Sequence, residues 1–103
     1  MTILVMGHIR AGTGEGAKLR DLLVAHMATT NAEQGCEFYN FAYDLGDPDL
    51  IRISERWASE EALAAHGAAD HQKALGARMR DFDIREVSVK AWDGLFWRTL
   101  IGE

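Results

Sequence analysis

The sequence predicts a single α+β domain over residues 1–103, a four-stranded antiparallel sheet with helices on one face. Two patterns carry that prediction. Four segments, near residues 2–10, 36–44, 50–57 and 84–92, alternate side chains with the period of a strand. Between the first pair and the last pair lie stretches whose apolar residues recur with the period of a helix. The order is therefore β-α-β-β-α-β, which right-handed crossovers close into the ferredoxin-like arrangement.

The first strand sets Ile3, Val5 and Ile9 against Leu4, Met6 and His8, so both of its faces carry apolar groups. Thr13 is placed to cap a helix bearing Leu19, Leu22, Leu23, His26 and Met27 on one side and ending near Gly35. The second strand puts Phe38, Asn40 and Ala42 on one face and Tyr39, Phe41 and Tyr43 on the other. Gly46-Asp47-Pro48-Asp49 reads as the turn of a hairpin. Its return strand carries Ile51, Ile53, Glu55 and Trp57 together. Ser59 is a helix cap with Glu60 and Glu61 in the first turn, where the helix dipole favours carboxylates. Interruption at Gly67 to Asp70 splits the helical stretch after Ser59 into two short helices, with Asp70 as the expected second cap. Val87, Val89 and Ala91 line one side of the last strand.

Composition excludes several classes. The formal net charge of −5 leaves no basic face for nucleic acid. A single cysteine, Cys36, forms no internal disulfide and no structural zinc motif. Ile3–Met6 is too short to span a bilayer and no basic leader precedes it, which points to a cytoplasmic protein with no membrane partner. Helices on one side leave the other sheet face bare, and its apolar residues exceed what monomers ordinarily expose. A second copy of the chain is the expected cover, aided by Leu95, Phe96, Trp97, Leu100 and Ile101 beyond the last strand. The alternative is a tail that caps its own core.

Glu33-Gln34-Gly35-Cys36, Tyr39, Asp47-Pro48, Glu55-Arg56-Trp57, Ala62-Leu63, His66 and His71 form an ordered series over about residues 3–92. This series resembles the antibiotic biosynthesis monooxygenase family, nearest its quinol monooxygenase branch. The resemblance implies a homodimeric ferredoxin-like α/β barrel. It also implies oxidation of phenols, quinols or polyketide aromatics by molecular oxygen, with no cofactor, metal or flavin.

Such chemistry requires a base, a hydrogen-bond donor for the developing anion, and a dry pocket. His66 and His71 are the candidate bases, because imidazole titrates near neutrality. On an unbroken helix five residues separate their directions by about 140°, so they share no metal unless the helix breaks at Gly67, and at most one faces the pocket. Glu55 lies among apolar neighbours and either orients a histidine or pairs with an arginine. Trp57, Tyr39 and Asn40 are the candidate substrate contacts, with a core role open to Trp57. A non-catalytic dimeric module binding a small aromatic ligand is the competing reading.

Overall fold

The computed structural model describes all 103 residues. Its elements are β1 (Thr2–Ala11), a 3₁₀ turn (Gly16–Leu19), α1 (Arg20–Asn31), β2 (Cys36–Asp44), β3 (Asp47–Trp57), α2 (Glu60–Ala68), α3 (Asp70–Met79) and β4 (Ile84–Gly94). The sheet order is β2-β3-β1-β4 and every neighbouring pair is antiparallel, the ferredoxin-like arrangement predicted from the element order.

Register decides what each face presents. Val5 opposes Glu55 in β3, which opposes Tyr39 in β2; the next row on this face joins Gly7, Ile53 and Phe41. The helices pack on this side. Its core comprises a cluster of Ile9, Ala11, Leu19, Leu23, Ile51, Ile53 and Leu75, and a second of Ile3, Val5, Tyr39 and Trp57. The opposite face is bare. There Phe38, Arg56, Leu4 and Trp92 form one row across all the strands, followed by Asn40, Ser54, Met6 and Lys90.

Four local expectations need correction. Thr13 caps no helix: α1 begins at Arg20, and the preceding loop is held instead by Asp49, whose carboxylate accepts from the Gly14 and Gly16 amides at 2.9 Å each. Helix α1 stops at Asn31 rather than near Gly35, because the Asn31 side chain leaves the helix for β2, donating to the Tyr39 carbonyl at 2.9 Å and accepting from its amide at 3.1 Å. The hairpin turn lies at Leu45-Gly46, and Pro48 stands inside β3, beyond the last pair that β3 makes with β1 at Leu50, where its missing N–H breaks no ladder to β1. Asp70 caps nothing either; α2 ends and α3 begins around an extended Ala69, ψ 145°. Ser59 does cap α2, accepting from the Ala62 amide at 3.1 Å.

The turn from α1 to β2 requires its glycine. Gly35 has φ +83°, and a Cβ there would meet the Ala62 methyl at 2.5 Å, so its absence lets α2 seat against the turn. The Ala58 amide donates to the Gly35 carbonyl at 2.8 Å and closes the same junction. This contact brings the turn residue Glu33 to the helices after β3. No helix is long and apolar enough to cross a membrane. The C-terminal tail does not cap its own core: Leu95, Phe96, Trp97, Leu100 and Ile101 are 73–94% exposed.

Candidate active site

Five elements and one turn deliver titratable and aromatic groups to the space between helices and sheet. His26 comes from α1, Glu33 from the turn, Tyr39 from β2, Glu55 and Trp57 from β3, His66 from α2 and His71 from α3. One oxygen of Glu33 is the hub. Its Oε2 accepts from His66 Nδ1 at 2.6 Å and from His71 Nε2 at 3.1 Å. These bonds place the imidazole protons on those two nitrogens and leave the lone pair of His66 on Nε2. His66 is buried, whereas the His71 side chain is 28% exposed. The carboxylate thus links an enclosed imidazole to one that meets solvent.

Aromatic rings enclose His66. Its centroid lies 4.8 Å from that of Trp57 and 5.4 Å from that of Tyr39. His26 stands 6.1 Å from His66 and 5.4 Å from His71, with its Nε2 bonded to Gln72 Oε1 at 2.8 Å. Burial lowers the pKa of His26, which favours its neutral form, while the Gln72 bond opposes that shift. Burial also pushes the Tyr39 phenol well above its ordinary value, so its hydroxyl keeps its proton near neutral pH.

Glu55 pairs with neither an arginine nor a histidine. Its Oε1 accepts from the indole Nε1 of Trp57 at 2.8 Å, two residues along the same strand face. Burial raises the Glu55 pKa despite that bond. The folded state then holds a proton on Glu55 over a range where the unfolded chain has lost it, so stability falls as pH rises above the ordinary carboxylate value of 4.5. The Glu55→Gln variant keeps an acceptor for Trp57 and removes the buried charge. Its melting temperature should exceed wild type at neutral pH, with the gap closing as pH falls toward 4.5; a gap independent of pH would contradict this account.

The expected site residues divide. His66, His71, Glu55, Trp57 and Tyr39 converge on the helix-bearing face. Asn40 does not join them; it sits half-buried on the other face, opposite Ser54. The helix breaks between the two histidines, at Ala69, so the 140° divergence of an unbroken helix does not arise, and both imidazoles turn to Glu33 where at most one was expected to face the pocket. Glu33 itself carried no role assigned from sequence. It did open the series that resembles the family, two positions before a turn glycine.

The family model for antibiotic biosynthesis monooxygenases matches residues 2–78. The chain belongs to this family. No curated protein matches the sequence significantly. Among solved structures, a candidate antibiotic biosynthesis monooxygenase of Deinococcus radiodurans is similar with a TM-score of 0.90 and 24% identity, covering 97% of this chain and 99% of that one. Protein Rv0793 of Mycobacterium tuberculosis gives 0.83 and 24%, with 96% and 100% covered. A candidate member from Nitrosomonas europaea gives 0.83 and 14%, with 92% and 91% covered. At these identities the likeness speaks for the fold. In this monooxygenase family member the whole histidine cluster falls inside the matched region, and the exposed tail falls outside it.

Proposed function

We propose that this chain is a cofactor-independent monooxygenase that oxidises a small phenolic or quinol substrate with molecular oxygen. The observation that carries the reading is the Glu33 carboxylate joining buried His66 to half-exposed His71 beside Tyr39 and Trp57. The tautomer held by Glu33 offers His66 Nε2 as the base for the substrate hydroxyl. Charge on the resulting imidazolium is stabilised by the carboxylate, and the Nδ1 proton passes through Glu33 to His71 once His71 has shifted to the tautomer that leaves its Nε2 lone pair free. The phenolate passes one electron to oxygen; the phenoxyl radical and superoxide join at a ring carbon bearing hydrogen. The peroxide takes up a proton, and loss of the ring hydrogen with O–O cleavage yields a quinone and water. Tyr39 donates a hydrogen bond to the developing anion, while Trp57, itself fixed by its bond to Glu55, packs against His66.

An open cleft of about 360 Å³ between α2 and β4 is bounded by Ile3, Leu63, Ala91 and Trp92, and none of the proposed catalytic residues lines it. Leu63 also packs against the Tyr39–Trp57 cluster. The deciding experiment is oxygen consumption by chelator-treated protein against a panel of hydroquinones and naphthols, with protein-free autoxidation and the His66/His71 double alanine variant as controls. Histidine-dependent turnover is expected. Rates equal to autoxidation throughout would favour the binding module.

The same reading includes a cytoplasmic homodimer. Leu4, Met6, Phe38 and Trp92 on the bare face are 41–60% exposed, and the apolar tail adds to them. Sedimentation should return about twice the 11.4 kDa chain mass, and the Leu4→Glu/Trp92→Glu variant should return one chain. A monomeric wild type would overturn the dimer.

A further inference from the structure

We propose that Glu33, His66 and His71 form a binding site for one divalent transition-metal ion of the zinc class, and that the ion and the proton relay exclude one another. Each of the three residues offers one ligand atom, and these atoms all lie within 4.8 Å of one another. Two imidazoles and a carboxylate form a donor set that zinc takes with bonds of about 2.0–2.2 Å, which sets neighbouring donor atoms roughly 3.4 Å apart in a tetrahedron. The separations from the carboxylate oxygen are 2.6 Å to His66 and 3.1 Å to His71, so an ion would open the first by roughly 0.8 Å and the second by roughly 0.3 Å.

His71 sits in the first turn of α3, two residues after the extended Ala69, and its side chain is 28% exposed, so the site opens to solvent on this side. His66 and Glu33 are more enclosed, at 5% and 17%, and give the site a fixed floor. Such a set retains an open fourth position for water and favours zinc, cobalt(II) or nickel(II) over magnesium or calcium, which prefer all-oxygen shells.

Occupancy has a chemical consequence for the function proposed above. A neutral imidazole coordinated through Nδ1 carries its proton on Nε2. The ion therefore removes the lone pair that His66 would use as base. Zinc binding itself is independent of that function; only the inhibition rests on it.

Calorimetric titration of chelator-treated, full-length protein with zinc chloride tests the site. One ion per chain is expected, with a raised melting temperature in its presence. His71→Ala and Glu33→Gln should each weaken binding by at least about a hundredfold, since even outer-shell losses cost 10–100-fold. His8→Ala, on the bare sheet face, should bind as wild type does. His71→Ala is the safer variant, being half-exposed; circular dichroism of each confirms the fold. Absence of saturable one-to-one binding, or binding that survives both substitutions, overturns the site. In the oxygen assay, zinc should abolish turnover along the same isotherm, and full activity of the zinc-saturated protein overturns the exclusion. If the metal-free protein shows no turnover on any substrate, the oxygenase reading fails and the ion site stands or falls on the titration alone.

Discussion

Trp57→Ala is expected to lower the unfolding free energy by about 3–5 kcal/mol, measured by urea denaturation followed by far-ultraviolet circular dichroism. The indole is fully buried and occupies the junction of β3 with the cluster of Ile3, Val5 and Tyr39. Truncation opens a void at the end of β3 and withdraws the N–H that Glu55 accepts at 2.8 Å. The second loss adds to the first, because a buried acceptor left without its donor bears its desolvation penalty unrelieved. Trp57→Phe separates the two effects: it refills most of the volume and still strands Glu55. It should fall between wild type and alanine. A loss below about 1 kcal/mol for Trp57→Ala would mean that the sheet end collapses around the void, and that Trp57 is not the keystone its burial implies.

His66→Ala should reduce histidine-dependent oxygen consumption by about 10²–10⁴-fold, the range by which positioned acid–base groups accelerate proton transfer. The two neighbours of this residue predict graded effects. His71→Ala leaves the base and its carboxylate in place and removes the half-exposed end of the relay, so a smaller fall is expected, partly restored by added imidazole or other small buffers. Glu33→Gln preserves shape but replaces the acceptor of both imidazoles by an amide that carries no charge, so the imidazolium formed in the transition state loses its counter-ion. Its loss should appear in kcat more than in KM, since the carboxylate stabilises a charge that arises only on reaction. Equal rates for all three variants and wild type would remove the proton relay from the mechanism.

Local pattern accounts for much of this molecule. Strand alternation located β1, β2 and β4 to within two residues, and Ser59 followed by two glutamates identified the start of α2. These features depend on neighbours a few positions apart, and the side-chain period of a strand or helix is itself a local property. The pairing of strands follows from the order of elements through the handedness of the crossovers. Even the bare apolar face was legible, because Leu4 and Met6 alternate with residues that must point to the helices.

The site was legible only as a set of residue types. Helical geometry sent His66 and His71 apart only for an unbroken helix; a break between them was expected, but where it would aim them depended on a single extended residue, Ala69, whose ψ of 145° re-aims everything after it. Glu33 stood unassigned because its partners lie 33 and 38 residues further along the chain. Nothing local sets such a distance. It is set where a turn glycine without a Cβ allows α2 to approach within contact of the α1–β2 junction. The same holds for Glu55, whose partner proved to be the indole two positions on rather than an arginine across the sheet. Composition and periodicity determined the layers and which residues share a face of each strand. Tertiary packing alone decided which charged groups meet between them, because that depends on backbone breaks and close approaches that no repeating pattern encodes.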